Sequence, residues 1–289
     1  MDACLSKLFR PLLLLMLPGL LLIGCSRIDV AYRNLDVLVP WSLGDYLAMN
    51  RQQKTWLDDR LKTHLAWHCR TQLPGYLTWL DGIRQMVASN DVTDEQLKVR
   101  TQQAKQAVAE VAEQILPSAT QLLRGMDDAQ VSELREAFAE DISERQAKYV
   151  KTPLAKQIQQ RQQRMEKRLT PWLGELNPQQ RLRIAQWSQA LGEQNRQWIA
   201  NRAHWQAQFS AAMDQRGSAA FEPQLEQLLK HRERLWTPEY RIAYQRTEQQ
   251  ARSLLVDLMA QSSEQQRRHL QGKLTKVQED FSKLKCLQS

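Results

Sequence analysis

The sequence predicts an all-α protein, an elongated multi-helix bundle or array of helical hairpins behind an extended N-terminal tether. Three observations carry this. After the first 24 residues glycine is scarce, and Gln, Arg, Leu, Ala and Glu, which favour helix, dominate. Apolar residues recur at three- and four-residue steps, with no clean alternation and no Asn-Gly or Asp-Gly hairpin turn. N-cap residues and first-turn prolines punctuate the chain throughout.

The first element is a signal. Lys7 and Arg10 precede an apolar run from Leu12 to Ile23, which is too short and wrongly flanked for a transmembrane helix. It ends in Leu22-Ile23-Gly24-Cys25. Leucine at −3, glycine at −1 and cysteine at +1 resemble a bacterial lipobox. The resemblance implies cleavage before Cys25, diacylglycerol on its sulfur and an acyl chain such as palmitate on the new N-terminus. Several chains anchor stably where one is marginal. Ser26, in place of Asp, implies an outer-membrane address facing the periplasm. Residues 1–24 would then be signal peptide, 25–42 a lipidated tether and 43–289 the helical domain.

The tether is no Gly/Ser linker. Tyr32, Leu35, Val37, Leu38, Val39 and Trp41 are costly to leave in water, so the segment should dock on the body or lie at the membrane interface. With Cys25 before it, the tether resembles an uncharacterised family of proteobacterial lipoproteins that carry a domain of unknown function. The resemblance implies no activity.

Ser42 and Asp45 make a capping-box-like start for a helix reaching about Arg70, and Pro74 opens another over Tyr76 to Ala88. Four later starts share a cap residue followed three positions on by Gln: Thr93/Gln96, Asp127/Gln130, Asn177/Gln180 and Ser262/Gln265. The cap oxygen accepts an amide of the first turn, and the Gln reaches back to the cap amide. Leu176-Asn177-Pro178-Gln179-Gln180-Arg181 resembles the LTxxQ motif of the Spy and CpxP periplasmic proteins, which are helical, cradle-shaped chaperones or stress regulators. That likeness covers two or three short stretches, and simple helix capping explains them equally. Breaks are expected at Pro117, Gly125, Thr152-Pro153, Thr170-Pro171, Gly217-Ser218, Pro223 and Thr237-Pro238, where Thr before Pro marks an N-cap with proline at the first helical position. The longest helices should span 128–151, 154–169, 179–215, 239–260 and 264–284, with Pro153 ending or kinking one of them. Ile184, Trp187, Leu191, Gln194, Trp198, Trp205 and Phe209 read as one helix–helix seam.

Chemistry is sparse. His64 and His68 share a helix face beside Cys69, but no second ligand cluster follows, so no metal is expected. No nucleophile elbow, phosphate loop or dinucleotide turn occurs, so neither an enzyme nor a cofactor is expected. Acid pairs such as Asp58/Asp59 and Glu140/Asp141 read as solvated surface. The charge is more telling. The 40 basic and 32 acidic residues fall to 38 and 31 once the signal, with Lys7, Arg10 and Asp2, is removed. Residues 145–168 hold Arg145, Lys148, Lys151, Lys156, Arg161, Arg164, Lys167 and Arg168 against Glu166 alone, which equals the whole excess. Such a segment is either paired with acids of another helix or a docking surface for anionic lipid or acidic client segments. Nucleic acid is set aside because the chain reads as exported.

These readings point to a lipid-anchored, non-enzymatic envelope protein that binds envelope proteins or anionic components, with a Spy-like chaperone or stress role as one form. A structural or assembly lipoprotein is the alternative. A cell-wall or lipid hydrolase is a third class that no motif supports. Of four cysteines, Cys4 leaves with the signal and Cys25 takes lipid. Cys69 and Cys286 remain in an oxidising compartment, where a disulfide between them is expected, against buried free thiols or a bridge to a partner.

Overall fold

The computed structural model describes residues 32–284, which form eleven α-helices, a short 3-10 turn and no strand. The chain is an all-α multi-helix bundle. In order, the helices are α1 (Leu35–Gly44), α2 (Arg51–Thr71), α3 (Leu73–Ala88), α4 (Asp94–Arg124), α5 (Asp128–Tyr149) and α6 (Leu154–Leu173). Then come α7 (Pro178–Ala190), α8 (Gln194–Asp214), α9 (Phe221–Leu229), the 3-10 turn (Arg232–Leu235), α10 (Pro238–Ala260) and α11 (Glu264–Ser282).

Several expected boundaries move. Ser42 lies inside α1, and the first long helix begins instead at Arg51 behind an Asn50/Gln53 capping box. The apolar segment before it is therefore partly helical and docks along α2. Pro117 and Pro171 sit within α4 and α6 without ending them. Pro117 removes a backbone donor, but α4 is packed on α2, α9 and α10, and that packing holds the helix through the gap. The expected single helix over 179–215 is broken. Gly192 takes φ +48° just past the end of α7, a left-handed cap that suits glycine. The last cap is Ser263 with Gln266, one residue beyond the expected pair.

The bundle has two cores. The first joins α3, α6, α7, α10 and α11 around Leu80, Trp172, Ile184, Trp187, Leu254 and Val277. The second joins α2, α4, α5, α8 and α9 around Leu122, Leu134, Phe209, Met213, Phe221 and Leu225. The aromatic seam read as one stripe is thus split between them: Ile184, Trp187 and Leu191 enter the first core, Trp205 and Phe209 the second. Contacts of α10 with α4 and α8 join the two.

Each core is closed by the same device. Gln53 and Gln130 head α2 and α5. Each accepts its own cap amide through Oε1, and each donates from Nε2 to the other's Oε1, at 3.2 and 2.7 Å. Each also donates to the carbonyl two residues before the other's cap, Gly125 and Ala48. Gln180 and Gln266, heading α7 and α11, repeat the reciprocal amide pair at 3.3 and 3.0 Å, and Gln266 donates to Glu175 O. Every polar atom of this pair is satisfied, which is why Gln180 can be 0% exposed.

The two ends of the described chain meet. Tyr32 and Phe281 stack edge to face beside Cys69, Leu73, Tyr76 and Leu284. His68 lies between two phenols, with Nδ1 3.0 Å from the Tyr32 hydroxyl and Nε2 3.2 Å from that of Tyr76.

Candidate functional site

The basic segment folds into the C-terminal half of α5, the turn after it and α6. Its first arginine has an internal role. Arg145 is 8% exposed and binds Asp141, one helical turn earlier, through Nε at 2.8 Å. Arg202 of α8 donates to the other carboxylate oxygen at 2.5 Å, Gln206 to the same oxygen at 3.1 Å, and the Tyr46 hydroxyl to the first at 3.1 Å. Asp141, read from the sequence as solvated surface, is instead the half-buried hub between α5, α8 and the segment before α2. Burial alone would raise its pKa, but hydrogen bonds from Arg145 and Arg202 outweigh it and hold the carboxyl below the usual range.

Arg161 has an internal role too. It is 6% exposed and donates to Ser188 O at 2.8 Å and Gly192 O at 2.9 Å. These are carbonyls at the end of α7, where the helix dipole is negative, so a buried cation is favoured there without a carboxylate. Ser188 answers by donating its hydroxyl to Ile158 O at 2.7 Å. The two contacts fix α6 on α7. Burial, with the neighbouring Arg164 charge, lowers the Arg161 pKa.

The remaining six cations are differently placed. Lys148, Lys151, Lys156, Lys167 and Arg168 are exposed, and Arg164 is half-buried. Among the described residues none of the six forms an ion pair within 4.0 Å. Glu166, the one acid of the segment, accepts from Gln162 instead. The Tyr149 ring supports two of the six, with Lys148 Nζ at 5.2 Å and the Arg164 guanidinium at 5.8 Å from its centroid. Trp198 packs edge-on to Tyr149 at 6.1 Å and carries Arg145 on its own face at 5.2 Å. The turn between the helices is pinned by Gln157, which donates to Val150 O and Thr152 O, and by Asn195, which donates to Tyr149 O. The result is a basic corner in which, among the described residues, no carboxylate comes within ion-pair distance of the six cations. Tyr149, Trp198 and Asn195 carried no signal of this role in the sequence, because they come from two helices whose contact only the fold creates.

The other residues singled out are accounted for as follows. Cys25 and Cys286 lie outside the described residues. Cys69 is 2% exposed and packs with Leu73 and Leu284. His64 bonds Ser118 Oγ through Nε2 at 2.9 Å, while His68 faces the two phenols, so the imidazoles have separate partners. Among the described residues no cluster of three metal-ligating side chains occurs, and no helix is long and apolar enough to cross a membrane.

No curated protein and no solved structure matches the chain. A family model does match, over residues 45–241, from just after α1 to the start of α10. That span holds the whole basic corner and the Gln53/Gln130 pair, and it stops short of Gln266. The chain belongs to DUF6279, a family of unknown function.

Proposed function

We propose that the protein is a non-enzymatic, lipid-anchored component of the bacterial envelope that holds anionic partners on its basic corner. The supporting observation is that six cations of one segment, five exposed and Arg164 half-buried, have no carboxylate within ion-pair distance among the described residues. An unpaired surface cation adds little to stability, so these positions are free to serve binding. In this reading Cys25 carries the lipid, residues 1–24 are removed, and the body faces the periplasm from the outer membrane. Cys69 is bridged to Cys286. That pairing is supported by the burial of Cys69 against Leu284, two residues and so at most about 7 Å of chain from Cys286.

The test of the binding reading separates position from net charge. One variant replaces Lys156, Arg164, Lys167 and Arg168 with Gln, and a second replaces Lys54, Lys98, Arg234 and Arg246. Both lose four charges, and Gln keeps helix propensity. Retention on an anionic matrix at moderate salt should fall sharply only for the first. Equal losses would show that bulk charge alone drives binding. Lipidation is tested by metabolic labelling with a fatty-acid analogue, which Cys25→Ala should abolish. The bridge is tested by non-reducing peptide mapping, where both cysteines recovered as free thiols would end it.

A further inference from the structure

Building on the reading just given, we propose that the partner of the basic corner is the phosphate headgroup layer of an anionic phospholipid membrane. The first argument is shape. Two shallow depressions on the described surface leave the six cations outside them, although the second reaches Gln146 at the start of the corner. One, of 490 Å³, is lined by Trp56 and its neighbours on α2. Another, of 400 Å³, lies between α5 and α8. None of the six cations lines either. A flat charged layer can be met by cations that line no depression. The second argument is extent. Lys156 and Arg168 are twelve residues apart on one helix, about 18 Å at 1.5 Å per residue. That span is too long for one phosphate and suits a row of headgroups. The third is composition. Leu154 is 39% exposed at the first position of α6, between Lys151 and Lys156. An apolar tip flanked by lysines can enter the headgroup boundary while the ammonium groups stay at the phosphates. Each cation near an anionic bilayer raises partitioning about fivefold, so the six together make a strong contact that orients the body on the surface.

The test uses the full chain mixed with vesicles and reads the acylation rate of each lysine by mass spectrometry. With phosphatidylglycerol vesicles, Lys148, Lys151, Lys156 and Lys167 should react at least about fivefold more slowly than with phosphatidylcholine. Lys62 and Lys98, exposed on other helices, should not change. The protection should vanish at 1 M salt, where the screening length is about 3 Å. Equal rates with the two lipids would overturn the inference. Two further arms keep its failure apart from that of the binding reading. Protection by polyglutamate but not by the anionic vesicles would overturn the membrane partner and leave an acidic-protein partner standing. Protection by inorganic phosphate to the same degree as by vesicles would overturn the extended headgroup row. Protection by none of the three would overturn both readings.

Discussion

Arg145 and Lys156 lie eleven residues apart in one basic stretch, and the fold treats them in opposite ways. Arg145 is buried and shares Asp141 with Arg202, Tyr46 and Gln206, so every charge in that centre is matched. Lys156, Lys167 and Arg168 on α6 are exposed, and among the described residues no carboxylate lies within ion-pair distance of them. A charge taken out of water must be compensated where it sits, by a carboxylate as at Asp141 or by helix-end carbonyls as at Arg161. A charge left in water is compensated by solvent and can be claimed by a partner. The difference separates cations that build this protein from cations that it presents.

The largest expected effect breaks the matched side. Asp141→Asn leaves buried Arg145 and half-buried Arg202 without their counter-charge and should cost about 3–5 kcal/mol in denaturant unfolding. A cost near zero would mean that the centre is solvated. Next is Arg161→Gln, which removes the donors from Ser188 O and Gly192 O. It should cost about 1–3 kcal/mol while leaving anion binding unchanged. Loss of binding at full stability would move Arg161 to the presented set.

Acid offers a third probe. The Asp141 carboxyl is held below its ordinary value in the folded state, so its contribution is fully present above that ordinary value, about pH 4. It is lost as pH falls through the folded value. A titration should therefore show stability falling below about pH 4 in the wild type, and a flatter fall in Asp141→Asn. Burial lowers the pKa of His68 as well. Stability from its neutral form is present above about pH 6.5 and declines as pH drops through its folded value, so the junction with Tyr32 and Tyr76 should loosen first. Tyrosine fluorescence or hydrogen exchange at α2 and α11 would follow it.

The smallest effect on stability should come from the presented side. Replacing Lys156, Arg164, Lys167 and Arg168 with Gln should change unfolding free energy by no more than about 0.5 kcal/mol per site. The same variant should show the largest loss of anion binding. A variant that both unfolds easily and binds normally would invert the assignment of the two regions.

The paired glutamines show how far the sequence reaches. Asp127/Gln130 and Asn177/Gln180 were legible as capping boxes because capping is local, involving four consecutive residues. That their side chains pair across 77 and 86 residues with Gln53 and Gln266 was not legible, since nothing local distinguishes a Gln whose Nε2 meets water from one whose Nε2 meets another helix. The cap at Asn50 was missed because Ser42 and Asp45 offered a competing start, and docking of α1 on α2 decided between them.

By itself the sequence determined the helical class, the capped starts of α5, α7 and α10 and the concentration of charge in residues 145–168, because propensity, capping and composition act over a few residues at a time. Tertiary structure alone decided which of those charges are buried. Arg145 and Lys148 are three residues apart on one helix, yet Arg145 turns inward to Asp141 and the Trp198 ring of α8 while Lys148 stays exposed. Desolvation and counter-charge are properties of the packed neighbourhood, so the division between structural and presented cations appears only once the helices are assembled.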